Sequence, residues 1–411
     1  MLTFDPALLK IRYNRDLLRF QLGFFLFVVL AVIHLPVVQV GLDAVGLFDL
    51  YTVGLFLLIL FMNVSFKVDQ TEYSTLSLYG VYLFYITLNM LLVLPEHTYL
   101  EFSIPLYVKQ IQYLLIACVS LFFIKRVDKT LIRYATYLAV IIIFVYGVYQ
   151  YATGEWYRLG IPLKLGTSSN PAGFILGILL LTLLYFITDK EEAKSIHKLF
   201  FWGVFLAGYG ALLLTVSRTN NIAFFGVFVL FLFYRYRKRI ILVVFIIGII
   251  VLISYLVMNF ALAGTSAAGK SVGLEFILNP ELALQQHSFQ ARLTSMWVTP
   301  LEEWLSTPFT IMFGIGFGSV KAVDNLYLAM LYNAGVVGLL VYVAIFFHLF
   351  RNGDYRLKLA VLFILINGIA AETTLNSYRS MQVVIFFLMF MLHYYRKKPR
   401  LSSPMVPKKT T

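Results

Sequence analysis

Long apolar runs alternate with short polar breaks from Phe20 almost to the C-terminus. The runs are roughly 17 to 25 residues long, which is what a helix needs to cross a hydrocarbon core of about 30 Å. The pattern predicts twelve membrane-spanning helices, near residues 20–40, 45–63, 74–94, 107–124, 134–152, 171–188, 199–216, 221–234, 240–259, 324–348, 357–371 and 380–395. The first run, Phe20 to Val40, is too long for a signal peptide, lacks a small-residue cleavage site and is followed by further spans, so it is expected to stay in the mature protein. Leu199 to Tyr234 is apolar except at Ser217, Arg218, Thr219, Asn220 and Asn221. As one helix it would run about 54 Å, nearly twice the hydrocarbon thickness, so a hairpin is expected to turn at those residues.

Composition agrees: 60% of the 411 residues are hydrophobic and 13% charged, and the mean hydropathy is +0.84. A soluble domain carries about 25% charged residues. The net charge of +13 would suit nucleic acid, but the placement of the cations excludes that reading. With the N-terminus in the cytoplasm, 25 of the 33 basic residues fall in cytoplasmic segments, the asymmetry of a cytoplasmic membrane protein with both termini inside. The eight on the opposite face are Lys109, Arg158, Lys164, Arg218, Lys270, Arg292, Lys321 and Arg379. Because topology disfavours cations there, they are the first candidates for chemistry. Cys118, the single cysteine, lies in an apolar run, so an intramolecular disulfide and a cysteine metal site are both excluded.

The expected organisation is one membrane-embedded domain over residues 1–411, with its largest external segment at 261–323, between helices nine and ten. Within that segment Leu284 to Leu305 places Leu284, Phe289, Leu293, Trp297, Leu301 and Trp304 at spacings near four, as in an amphipathic helix lying on the interface. Arg292 and His287 fall on its polar side. Gly314-Ile315-Gly316-Phe317-Gly318 follows and reads as a close backbone turn, since no strand–helix–strand unit accompanies it to make a dinucleotide site. Asp324 opens the next helix, either as its N-cap or as a carboxylate able to act as a base. Glu372, near the external end of the eleventh helix, is a second candidate base, with Arg379 as its obvious ion-pair partner. No pair of histidines has metal-ligand spacing, and no cofactor is expected. The external aromatics Trp156, Tyr157, Trp297 and Trp304 suit an interfacial belt and also sugar stacking.

Taken in order, these residues resemble the bacterial O-antigen polymerase and O-antigen ligase superfamily. The resemblance rests on Ser169-Asn170-Pro171 before an apolar helix, Ser217-Arg218-Thr219 between two helices, and Gln290-Ala291-Arg292 with Trp297. It continues through the Gly314 to Gly318 turn and Asp324-Asn325-Leu326-Tyr327-Leu328, followed by Gly335 and Gly338. It covers about the C-terminal 250 residues.

The resemblance implies an all-α polytopic glycosyltransferase of the GT-C type, acting without metal on undecaprenyl-diphosphate-linked oligosaccharides at the external face of the bacterial cytoplasmic membrane. A diphosphate is already a good leaving group, so such a site needs cations to hold its charge and a group to orient or deprotonate the attacking hydroxyl. Arg218 and Arg292 occupy the positions the family uses for the diphosphate, and Arg379 is counted with them. Asn170, Lys164, His287, Asn325 and Tyr327 are candidates for sugar or lipid contact. Ligases of the superfamily usually carry histidine where this chain has Asp324-Asn325, which favours a polymerase of repeat units for O-antigen, capsule or exopolysaccharide. Expected partners are the lipid-linked donors, membrane lipids and a chain-length regulator, with no nucleic acid. The alternatives are a ligase that moves a finished glycan to another acceptor, and a lipid-linked oligosaccharide flippase, which should line a central cavity with cations through several spans.

Overall fold

A computed structural model describes residues 6–33, 35–40, 43–61, 67–93, 100–153, 159, 161–162, 169–188, 195–256, 290, 296–318, 323, 325–369 and 378–396. Among them are fourteen helices and one two-stranded hairpin. The order is α1 Pro6–Val32, β1 Pro36–Val40, β2 Asp43–Gly46, α2 Leu47–Phe61, α3 Gln70–Val93, α4 Leu100–Ile124, α5 Lys129–Ala152 and α6 Ser169–Thr188. Then come α7 Ser195–Leu214, α8 Arg218–Tyr236, α9 Ile240–Leu256, α10 Val298–Trp304, α11 Pro308–Phe313, α12 Leu326–Asn352, α13 Tyr355–Gly368 and α14 Tyr378–Tyr394.

The chain is an α-helical membrane protein. Each of the twelve apolar runs holds a helix. Five segments among the described residues are long and apolar enough to cross a bilayer: Gln70–Val93, Ser103–Ile124, Lys129–Ala152, Asn170–Ile187 and Leu326–Asn352. The expected hairpin between α7 and α8 is present and turns at Thr215–Ser217.

One expectation is corrected. The first run does not continue as helix to residue 40, because α1 ends at Val32 and the chain turns into an antiparallel hairpin, with Gln39 opposite Ala44 and Val40 opposite Asp43. Pro36 cannot supply a helical N–H and disfavours helix in the residue before it, and the valines after it suit a strand. Hydropathy does not distinguish such a run from helix. Of the amphipathic helix expected over 284–305, the described residues include α10, Val298–Trp304, and Gln290; the other residues of 284–295 lie outside the described residues.

α6 forms the centre of the bundle. It packs on α5, α7, α8, α13 and α14, and its residues from Phe174 to Phe186 other than Gly177 are all at most 1% exposed, as expected for a helix that is apolar on every face. Gly177 lets it meet α13 closely, since a Cβ there would lie 2.2 Å from the ring of Phe363. The same core continues to α1, α4 and α14 through Phe24, Phe27, Phe123 and Phe386, with ring centroids 5.3 to 5.9 Å apart.

The opposite end of the bundle is closed by charge. Asp69 caps α3, its Oδ1 accepting from the amides of Thr71 and Glu72, while Glu72 Oε2 accepts from the Asp69 amide at 3.1 Å. Glu72 is fully buried and also meets Lys125 at 2.5 Å and His393 Nδ1 at 2.7 Å. Arg396 pairs with Asp69. The N-terminus of α3 is thereby bound to the C-terminal ends of α4 and α14. Asp69, Glu72 and His393 bring possible metal-ligand atoms within 4.8 Å of one another, but the carboxylates already face two fixed cations, which oppose a third.

Candidate functional site

The polar turn between α7 and α8 does not stay at the surface. Val216, a β-branched residue, is held in the left-handed region at φ 51°, a conformation that persists only where the surroundings impose it. Its amide donates to Leu213 O, and the Ser217 amide donates to Thr215 Oγ1. The strained turn points Ser217 and Asn220 inward, at 2% and 0% exposure.

There they build a network across three helices. Ser217 Oγ donates to Asn170 Oδ1 at 2.8 Å, at the start of α6. Asn220 Nδ2 donates to the Asn170 carbonyl at 2.8 Å and to Ser217 Oγ at 2.7 Å. Asn367 Nδ2, from the last turn of α13, donates to Asn220 Oδ1 at 2.5 Å. Gly173 makes room for it, since a Cβ there would meet Asn220 Nδ2 at 2.7 Å. Beside Asn367, Gly368 packs on Leu326 of α12, and Asn325 Nδ2 donates to Ile369 O at 2.7 Å. The N-termini of α6, α8 and α12 are thus tied together around the end of α13.

Arg218 is the first residue of α8 and is half-buried. Although Ser217 is the N-cap, its hydroxyl makes no cap to the helix, being committed to Asn170 and Asn220. A guanidinium at the positive end of a helix, with two further helix N-termini in the same network, gives this end of the bundle the electrostatics of an anion site.

The other predicted residues are placed as follows. Asn170 is in the network. Asn325, rather than Asp324, caps α12, accepting from the Leu328 amide at 2.9 Å. Tyr327 donates to Leu365 O at 2.7 Å and so clasps α13; both side chains serve helix packing. The glycine run is a turn, with positive φ at Gly314, Gly316 and Gly318. Lys164, His287, Arg292, Asp324 and Glu372 lie outside the described residues, and of Arg379 only the helical backbone is described.

Sequence reasoning passed over two features. Asn367 was hidden as the lone amide in the apolar run of the eleventh predicted helix. Asp49 stands alone as an acid among the apolar residues of α2 and is 7% exposed. Its Oδ1 accepts from Gln112 at 2.7 Å and Gln382 at 2.9 Å, and its Oδ2 from the Gly46 amide at 2.6 Å. An ionisable group in an apolar run is the signal that could have found it. It binds α2 to α4 and α14, beside a small cleft that Ile161 also lines. A larger cavity, about 640 Å³ with its mouth, lies between α3, α4, α12 and α14 and is almost wholly apolar, with Gln110 among its few polar residues.

No protein-family profile matches the chain, and no curated protein matches it.

Proposed function

We propose that the protein is a membrane glycosyltransferase that polymerises undecaprenyl-diphosphate-linked oligosaccharide repeat units at the outer face of a bacterial cytoplasmic membrane. In this reading the chain crosses the bilayer twelve times, with both termini inside. The observation that carries it is the largely buried Asn170–Ser217–Asn220–Asn367 network, beside which Arg218 begins α8, with the N-terminus of α6 in the network and that of α12 tied to the end of α13. That setting suits a departing diphosphate, whose charge must be met by fixed donors and dipoles. The bond from the anomeric carbon to the diphosphate oxygen breaks, and the diphosphate leaves with the electron pair. The acceptor hydroxyl bonds to that carbon, and its proton goes to Asp324 or Glu372. In this reading Arg292 and Arg379 would complete the cation set, and Lys164 and His287 are candidates for contact with the sugars.

The experiment is a reaction of the purified protein in a lipid disc with lipid-linked repeat units, analysed by gel. A ladder spaced by one repeat unit, lost in Arg218→Ala and Arg292→Ala while the proteins remain folded, supports the proposal. Transfer only to an added second acceptor would instead indicate a ligase. Donor binding without any new glycosidic bond would indicate a transporter.

A further inference from the structure

α12 breaks its own hydrogen-bond ladder inside a membrane-spanning segment. Gly335 leaves helical geometry at φ 66°, ψ −172°, nine residues from the start of the helix and so about 13 Å along it. The freed carbonyls are taken by other elements: Ile315 N–H donates to Tyr332 O at 2.7 Å, and Tyr85 OH to Ala334 O at 2.5 Å. The interlock is tight, since a Cβ on Gly335 would lie 2.3 Å from Met312 O and one on Gly314 2.6 Å from the Ala334 amide. α11 and the glycine turn therefore sit at the depth of the kink. α3 gives the same depth, because Asn89 lies four residues and Tyr85 eight from its end, or about 6 and 12 Å. Asn89 Nδ2 donates to Phe313 O at 2.5 Å, and its Oδ1 accepts from the Phe317 amide at 2.8 Å.

Non-helical backbone at membrane depth is tolerated only where its polar groups are satisfied by protein. Here Gly314 N–H donates to Thr310 O and Gly318 N–H to Asn333 Oδ1, besides the bonds already given. From Pro308 to Gly318 the segment carries no charge, while Glu302 and Glu303 precede it and Lys321 and Asp324 follow it. Yet Phe309 is 52%, Met312 44% and Phe313 38% exposed.

We infer that residues 308–318 are a re-entrant segment whose Phe309, Met312 and Phe313 are solvated by lipid hydrocarbon chains. The leaflet is the one at the C-terminal end of α3 and the N-terminal end of α12, the outer leaflet in the orientation proposed above. This rests on α3 and α12 crossing the bilayer and is independent of glycosyl transfer.

The test uses full-length protein in phosphatidylglycerol and phosphatidylethanolamine discs. With Cys118 replaced by Ala, nitroxide is placed at Met312→Cys, Phe309→Cys and Glu302→Cys, and collision with oxygen and with a water-soluble nickel complex is measured. Positions 309 and 312 should favour oxygen, at about 6–13 Å, the depth at which α3 and the kink of α12 meet the segment, and position 302 should favour nickel. Nickel access at 309 and 312 equal to that at 302, or low access to both reagents, would overturn the inference. In the unsubstituted chain, Met312 should resist dilute aqueous hydrogen peroxide in discs although its side chain is exposed on the protein; oxidation at the rate of free methionine would also overturn it.

Discussion

Asn220 and Asn367 lie 147 residues apart in sequence and meet at 2.5 Å, each with 0% exposure. The pair joins the N-terminal turn of α8 to the last turn of α13. Removing one partner strands a buried amide, which costs about 1–3 kcal/mol. Asn367→Ala should therefore lower thermal stability in a lipid disc by that amount. A double-mutant cycle with Asn220→Ala should give a coupling of about 0.5–3 kcal/mol, as expected for contacting residues; additive losses would dissociate the two amides.

Arg218 separates charge from geometry. If it holds a diphosphate by its planar fork, Arg218→Lys keeps the charge and loses bidentate contact. Turnover should fall at least about tenfold, or about 1.4 kcal/mol, with unfolding temperature unchanged because the residue is half-buried at the end of the bundle. Full activity in the lysine variant would leave only point-charge attraction.

Asp49 accepts from three donors on three sides. Asn in its place presents an amide to at least one of them, so Asp49→Asn should destabilise by about 1–3 kcal/mol. Gln382→Leu removes one donor and should cost less, because Gln112 and Gly46 still serve the carboxylate. Melting curves of the two variants measure the order.

The helices were legible because runs of apolar residues at bilayer length have few alternatives, and the hairpin between α7 and α8 was legible because one helix of that length could not fit, although it turns at Thr215–Ser217 and Arg218 to Asn221 already belong to α8. The strand pair at Pro36–Gly46 was not, since hydropathy carries no information on backbone geometry. The site was half visible. Arg218 stood out as a cation on the wrong side of the topology rule, whereas Asn367 became meaningful only when α13 was placed against α8. Asn325 and Tyr327, whose place in a motif suggested ligand contact, have hydrogen bonds to the end of α13 and the start of α12 that no sequence pattern announces.

Glu72 is fully buried between Lys125 and His393. Breaking such a cluster at one member leaves an uncompensated charge, so Glu72→Gln should cost about 3–5 kcal/mol, whereas Glu72→Gln with Lys125→Met should recover part of the loss. Chemical denaturation in mild detergent gives both values. A double variant as unstable as the single one would mean that packing, not charge, dominates at this end of the bundle.

Two glycines distinguish a required backbone from a tolerated one. Gly335→Ala forces a Cβ into Met312 O at a positive φ, adding about 1–3 kcal/mol of backbone strain to a similar cost of overpacking. Gly226 lies within α8, and a Cβ there meets nothing within 4 Å, so Gly226→Ala should be neutral or stabilise by up to about 1 kcal/mol. If Gly335→Ala melts with the wild type, the kink and the α11 interlock do not hold this end of the bundle together. If it alone unfolds early, and Met312 then oxidises readily, loss of the interlock has released the re-entrant segment.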